Sequence, residues 1–406
     1  RDIIANHKHS VKPFMQKTAR AARIAKLLST DTMWTLTNMA NVAEVMYSRH
    51  SQLAIDERYL TVCPCGKCKK TTLTIIRMDA SSFFSNALMH RGIKNLSLML
   101  RRCTTKFGAN AVKIDPGTKC SGKLVVCKGI PTTKNTILFS EILSAFRFAA
   151  KECHFLVGEI VIQRKHGWPM GGSHSEPGTM IDVGEYVHAL YNDLTVQRDF
   201  NFTVDGYEIN QILQGLQHVD DILLMSQIWC EDCIESKIKA YFPPDMGFET
   251  EEKGPVLRFL TTWNTVNGTK IICEPYQPNY GYIFDKETIP KVSRCPVFIS
   301  DKHTPINMLR QFSFAHIFNY ARICKGYPLL MLKHLALVAI EAHNCGWNLK
   351  AIGKQFVTKT FRYKSYNFDV CVWMGISLLK GRTRNWLTRI AHHKSIELVC
   401  HFDNGY

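Results

Sequence analysis

Short apolar runs dominate the first 260 or so residues, and long helical patterns replace them beyond residue 300. Leu73-Thr74-Ile75-Ile76-Arg77-Met78 predicts a strand, entered from a tight turn at Cys63–Lys70, because a strand buried on both faces carries nearly continuous apolar residues. His154–Ile162 predicts a second strand over about 154–163. Two short ones, Leu216–Val219 and Ile222–Met225, flank an Asp-Asp pair, and two more fall at about 246–251 and 256–263. Helices are predicted over 15–50, 138–151, 179–194 and 230–241. Residues 103–136 gather Gly, Pro, Lys and Thr and read as an irregular insertion. Ile306–Lys325 and Leu329–Cys345 predict long helices broken by Gly326-Tyr327-Pro328 and Gly346-Trp347. This alternation is α+β, without the regular crossovers of a parallel sheet. Pro275, Pro278, Pro290 and Pro296 set a connection over 264–300 between a region of residues 1–263 and a helical region of residues 301–406.

Charge sharpens the picture. Lys and Arg number 51 against 34 Asp and Glu, a formal net charge of +17, which fits a polyanionic partner such as a phosphate backbone. An anionic membrane surface would require an amphipathic basic helix. No apolar run reaches the ~18 residues of a bilayer span and no signal peptide opens the chain, so no membrane partner is expected. The first residue is Arg1, as in a fragment or processed product. Fifteen irregularly spaced cysteines fit reduced thiols and an intracellular (nuclear or cytoplasmic) setting. The Asn-x-Ser/Thr matches at Asn95, Asn201 and Asn267 are then accidental. The cations of the first helix, Lys17, Arg20, Arg23 and Lys26, read as a solvated face, with template contact as the alternative.

The Asp pair is Asp220-Asp221, set between mostly apolar strands. Two adjacent carboxylates beside a buried sheet repel each other and cost several kcal/mol unless a cation compensates. A surface turn is the plain alternative, since Asp favours turns. Asp79 closes the 73–78 strand; if both segments share a sheet, Asp79 and Asp220 can face each other about 5 Å apart. Hard oxygen ligands at that spacing suit Mg²⁺, and two such ions clamp an in-line phosphoryl displacement.

These residues resemble the palm motifs of reverse transcriptases. Asp79-Ala80-Ser81-Ser82-Phe83-Phe84 is similar to the first motif, and Gly167-Trp168-Pro169-Met170-Gly171-Gly172-Ser173-His174-Ser175-Glu176-Pro177 to the second. His218-Val219-Asp220-Asp221 resembles the third; Phe248–Glu252 followed by Leu257–Leu260 resembles the fourth and fifth, which lead to the primer grip. All five stand in the family's order over about half the chain. The resemblance implies a right-hand polymerase with fingers, an antiparallel palm sheet backed by helices, and a helical thumb over 301–406. It implies two Mg²⁺ ions (or Mn²⁺) held by Asp79, Asp220 and Asp221, the last more peripherally, with the Ala80 carbonyl adding a ligand. It places Phe84 as a gate against the 2′-hydroxyl, which selects deoxynucleotides, and Gly167, Pro169 and Gly171 against the templating base and incoming nucleotide. The implied partners are an RNA template, a DNA primer and dNTPs. Phe84 as plain core and Gly171-Gly172 as an ordinary turn are the structural alternatives.

The sequence departs from the family at several points. His218 replaces Tyr or Phe, Glu176 replaces Pro, Thr261 follows Leu260 where Gly or Asp is common, and Arg164 stands where Gln is usual. The long separation of Asp79 from Gly167 points toward Penelope-like, telomerase or non-LTR types of retroelement enzyme. Lys12-Pro13 stands for the fingers' Arg-Pro, and Lys69, Lys70 and Arg77 are only charges near the site. An RNA-synthesising polymerase would want an acid at Phe84. A degenerate copy that only binds nucleic acid is the other reading. Cys63-x-Cys65-x-x-Cys68 resembles half a zinc site whose fourth ligand would be Cys103, Cys120 or His90; free cysteines in a turn are the simpler account. Cys230-x-x-Cys233 is assigned to helix packing and His392-His393 to a solvated basic tail.

Overall fold

The computed structural model describes residues 11–29, 34–36, 39–66, 68, 73–80, 86–116, 121–129, 131, 133–151, 154–157, 160–168, 172–284, 295, 297–299, 305–360 and 368–392. The chain forms two compact units: residues 1–39, 45–257 and 266–271, and residues 40–44, 258–265 and 272–406.

The chain is α+β. The helix expected over 15–50 is two helices, α1 (Lys12–Ser29) and α2 (Val42–His50). Between them Trp34-Thr35-Leu36 lies extended beside Gln217. Leu36 N–H donates to the Gln217 carbonyl at 2.8 Å, and Gln217 N–H donates to that of Trp34 at 2.5 Å. The Trp34 indole is buried against Gly215, where a Cβ would stand 2.7 Å from the ring, and its N–H donates to the Tyr191 hydroxyl at 2.9 Å. Helical periodicity carries no record of such a distant pairing, so the break was invisible in the pattern.

The elements that follow are β1 (Thr74–Ala80), α3 (Met89–Phe107), β2 (Ala111–Ile114), β3 (Gly122–Val125), β4 (Thr136–Leu138) and α4 (Phe139–Lys151). Then come β5 (His154–Val157), β6 (Ile160–Gln163), α5 (Ser175–Asn192), β7 (Gln214–His218), β8 (Asp221–Ser226), α6 (Glu231–Tyr241) and β9 (Phe248–Lys253). Residues 103–136, read as irregular, contain the end of α3, then β2 and β3, and run into β4, the three strands forming an antiparallel sheet of order β3-β2-β4. The single strand expected over 154–163 is the β5–β6 hairpin.

The central sheet has the order β7-β8-β1-β9 and is antiparallel throughout. Its inner strands bury Ile75, Ile76 and Met78 of β1 and Ile222, Leu223, Leu224 and Met225 of β8 almost completely. Each such side chain contributes roughly 1.5–3 kcal/mol of transfer free energy, which is why these strands read as unbroken apolar runs. β9, Phe-Glu-Thr-Glu-Glu-Lys, buries Phe248 and leaves charge outward, as an edge strand requires. α6 packs against β1 and β9, while α3 and α5 pack together and a polar knot joins them. The Arg91 guanidinium donates to Asp182 at 2.9 Å and Asp245 at 2.7 Å, and the Asn95 amide donates to Asp182 at 2.7 Å. Asp182 is fully buried, so this set of donors is what makes its burial tolerable.

Beyond β9 come β10 (Val256–Phe259), β11 (Thr262–Asn267) and β12 (Lys270–Pro275), a sheet in that order. The second unit then contains α7 (Ile306–Ile323), α8 (Pro328–Asn344), α9 (Leu349–Thr360), α10 (Phe368–Leu379) and α11 (Arg384–Ala391). Pro328 starts α8 where a missing N–H costs nothing. α9 and α10 approach closely through Gly353 and Gly375; a Cβ on either would lie 2.8 Å from the other's carbonyl oxygen. Among the described residues no helix is long and apolar enough to cross a membrane.

Candidate active site

The three predicted aspartates come together at one end of the central sheet. β1 and β8 pair from Thr74↔Ser226 to Asp79↔Asp221, and β7 and β8 end on His218↔Asp221. The loop between His218 and Asp221 is only Val219-Asp220. Val219 has φ +59° and Asp220 is not in the left-handed region, the signature of a type II′ hairpin turn. Asp220 therefore projects from the turn just past the last rung, and its carbonyl accepts the Ala80 N–H at 3.3 Å. The residue directly across from Asp79 is thus Asp221, and the expected facing of Asp79 and Asp220 is corrected by one position. On the other side Asp79 pairs with Glu249 of β9.

The electrostatics follow from this crowding. Burial, then the charge of Asp221, raises the Asp79 carboxyl above its ordinary value, with Glu249 adding to the effect. Burial pushes Asp220 up to about 6, with Asp79 and Asp221 contributing as like charges. The nearby cation is Arg77, 4.0 Å from Asp221, but it is shared: it donates to Glu251 and lies 3.4 Å from Glu252. A bulge makes that sharing possible. The β1–β9 register passes from Arg77↔Glu252 to Met78↔Thr250, so two glutamates of β9 reach one arginine. His218 adds no compensating charge, because burial lowers its pKa and keeps the imidazole neutral near pH 7. Among the described residues, three crowded aspartates beside a guanidinium shared with Glu251 and Glu252 fit hard divalent cations such as Mg²⁺ or Mn²⁺.

The second motif is described in part. Gly167 has φ +76° and donates its N–H to the Ala87 carbonyl at 2.8 Å, a conformation that L side chains rarely adopt. Trp168 is fully buried, and a Cβ at Gly178 would stand 2.8 Å from its ring, so this turn is anchored by an indole in the core. Phe84, Pro169 and Gly171, together with Lys69, Lys70 and Cys120, lie outside the described residues. Lys12 and Pro13 open α1.

Several participants were missed by sequence reasoning. Glu176, the departure in motif two, forms an ion pair with Arg23 of α1 at 2.5 Å, so part of the basic face is paired rather than merely solvated. His174 is buried, its pKa lowered by that burial to about 4, and its Nε2 lies 3.0 Å from the Thr18 hydroxyl. Arg147, Lys151, Lys165, His90 and His166 line a cavity of about 610 Å³ in the first unit. Among the described residues, neither Cys103 nor His90 joins Cys63 and Cys65; Cys230 and Cys233, which pack in the core, approach them instead.

No family model matches the chain and no curated protein matches it. Among solved structures it is similar to apo telomerase from Candida tropicalis, at 12% identity over 98% of this chain and 59% of that one, with a TM-score of 0.47. It is similar to telomerase from Candida albicans in complex with the TWJ fragment of telomeric RNA, at 14% identity over 89% of this chain and 58% of that one, with a TM-score of 0.42. It is also similar to a chain of an RdRp complex, at 12% identity over 81% of this chain and 24% of that one, with a TM-score of 0.38. The chain spans less than two thirds of the length of each of these structures.

Proposed function

We propose that the chain is an RNA-directed DNA polymerase, extending a DNA primer on an RNA template with deoxynucleotides. The observation that carries this reading is the convergence of Asp79, Asp220 and Asp221 at a type II′ turn, beside a sheet too apolar to hold them uncompensated. Asp79 and Asp220 would hold two Mg²⁺ or Mn²⁺ ions, with Asp221 more peripheral and the Ala80 carbonyl as a further ligand. Such ions, when bound, supply positive charge to the attacking and leaving oxygens. The chain's own part is positioning. The β1–β8 ladder fixes the carboxylate spacing, and burial beside Ile222 and Met78 keeps the local dielectric low, which strengthens charge stabilisation. The primer 3′-hydroxyl would attack the α-phosphate and pyrophosphate would leave. Phe84, by its place five residues after Asp79, is the proposed sugar gate. The basic surplus and the cationic cavity at Arg147, Lys151 and Lys165 suit a phosphate backbone. In this reading fingers and palm occupy 1–263, a connection 264–300 and the thumb 301–406.

Primer extension on poly(rA)/oligo(dT) with Mg²⁺ or Mn²⁺ tests it. Wild type extends, and Asp220→Asn loses at least about 10²–10³-fold while binding the duplex with unchanged salt dependence. Equal inertness of both proteins, with binding retained, would reject catalysis and leave a nucleic-acid-binding protein. Phe84→Ala should admit ribonucleotides; unchanged sugar selection removes the gate assignment.

A further inference from the structure

The central sheet has a second cluster of chemically capable side chains at its opposite end. Thr74↔Ser226 lies five residues from Asp79↔Asp221, about 17 Å at ~3.3 Å per residue. Just before β1 the chain carries Cys63, Cys65 and Cys68; just after β8 it carries Cys230 and Cys233. The sulfurs of Cys63, Cys65, Cys230 and Cys233 all lie within 4.8 Å of one another, and those of Cys63 and Cys233 are 3.7 Å apart. That separation is far beyond the ~2.05 Å of a disulfide. It matches the edge of a tetrahedron of thiolates about 2.3 Å from a central zinc ion, roughly 3.8 Å.

The backbone around the sulfurs is arranged as a metal knuckle is. Gly66, at φ +68°, lets the chain turn back so that its N–H donates to the Cys63 carbonyl at 2.9 Å, and Cys63 N–H donates to that of Cys68 at 3.2 Å. The Cys230 N–H donates to the Cys63 sulfur at 3.4 Å, which ties the two cysteine segments together. Cys230 is the N-cap of α6 and Cys233 lies in its first turn, so one short helical segment presents both sulfurs. One turn further, Lys237 rests 4.1 Å from the centre of the Trp229 ring. Two of the four cysteines are buried and two partly exposed, so the cluster is enclosed yet open to an entering ion.

We propose that Cys63, Cys65, Cys230 and Cys233 bind one structural Zn²⁺ ion, which staples the segment entering β1 to the segment leaving β8. The staple fixes the register of the two strands that carry Asp79 and Asp221, although its existence does not depend on their catalytic role. Cys68, which touches Cys65 and Cys230, stands beside the centre as a fifth thiol.

Metal analysis of the full chain, purified under reducing conditions with zinc supplied, tests the assignment. Wild type should hold about one equivalent of zinc, released when the thiols are titrated with a mercurial. Zinc exchanged for Co²⁺ should give the thiolate-to-cobalt charge-transfer band and intense d–d bands of a tetrahedral sulfur site. Cys63→Ser and Cys233→Ser should lose the metal and lower the thermal midpoint, whereas Cys68→Ser and the buried control Cys103→Ser keep it. Asp220→Asn should also keep it, which separates this centre from the carboxylate site. Wild type without stoichiometric zinc and without the cobalt spectrum overturns the proposal, as does a Cys63–Cys233 disulfide found by mass spectrometry. Loss of zinc from Cys68→Ser overturns the ligand assignment. Because the wild-type measurements need no variant, misfolding of a substituted chain cannot shelter the idea.

Discussion

Asp79 stands opposite Asp221 on the β1–β8 ladder, and the same rung runs on to His218 beyond Asp221 and to Glu249 beyond Asp79. Directly opposed residues share one face of a sheet with Cβ atoms about 4.5–5.5 Å apart, so the row His218–Asp221–Asp79–Glu249 presents its polar groups to one side. Asp220 stands over the row from the turn. His218 therefore belongs to the acidic row itself, as a neutral neighbour of Asp221.

Glu249, at one end of that row, is its one carboxylate that the proposed chemistry does not use. Like charges directly opposed on a sheet destabilise it by a few tenths to 1 kcal/mol, and Glu249 contributes to the raised pKa of Asp79. Glu249→Gln is expected to stabilise the metal-free protein by about 0.5 kcal/mol in urea unfolding at pH 7 and to leave primer extension unchanged. Loss of extension with unchanged unfolding would show that Glu249 is a working ligand.

Val219 holds the turn in a conformation that suits glycine. An L side chain in the left-handed region costs about 1–2 kcal/mol, and Val is β-branched, which makes the fit worse. Val219→Gly removes that cost and gives back roughly 0.5–1 kcal/mol in unfolded-chain entropy, for a net gain of about 0.5–1 kcal/mol by chemical denaturation. Val219→Pro cannot adopt φ +59° and should destroy both the hairpin and extension. A destabilised Val219→Gly would mean that side-chain contacts of Val219 outweigh the backbone strain.

Lys26 of α1 is buried, near Glu185 and pressed over Gly184, where any Cβ would collide with its ammonium. Burial lowers its pKa to about 8, despite the opposing charge of Glu185. The unfolded value is about 10.4, so between about 8 and 10.4 the unfolded chain binds more protons and stability rises with pH; below about 8 the cost is fully present. Lys26→Met should remove this alkaline rise and stabilise the protein at pH 7 by about 2 kcal/mol, since Glu185 keeps Arg102 at 2.5 Å. Unfolding midpoints from pH 7 to 10 check it, and parallel profiles for the two proteins would refute the assignment.

The α+β class, the hairpin bearing Asp220-Asp221 and the strand ending at Asp79 were readable because each is written locally, in apolar runs and turn residues. What failed to show needs distance in space. The order of Asp221 and Asp220 relative to Asp79 depends on how many residues the turn consumes, which the strand pattern does not fix. Trp34 interrupts a helical stretch because Gly215 leaves a slot for it 181 positions further along. The meeting of Cys63 with Cys230 spans 167 positions, so each cysteine pair, read alone, looked like half a motif or simple packing.

Glu176 illustrates the same point: its partner Arg23 lies 153 positions away. It lies in the first turn of α5, where an acid interacts favourably with the helix dipole, and it pairs with Arg23 of α1 at 2.5 Å with both side chains partly exposed. Exposed pairs of this kind couple by about 0.2–1 kcal/mol, and salt screens them. A double-mutant cycle with Arg23→Met and Glu176→Gln should return about 0.5 kcal/mol of coupling at low ionic strength, shrinking in high salt. The exchanged pair Arg23→Glu with Glu176→Arg should recover only part of it, because the arginine then opposes the dipole of α5. If the cycle returns no coupling at low salt, Arg23 is not what accommodates Glu176. The acid would then be held by the dipole alone, and Arg23→Met would leave stability unchanged.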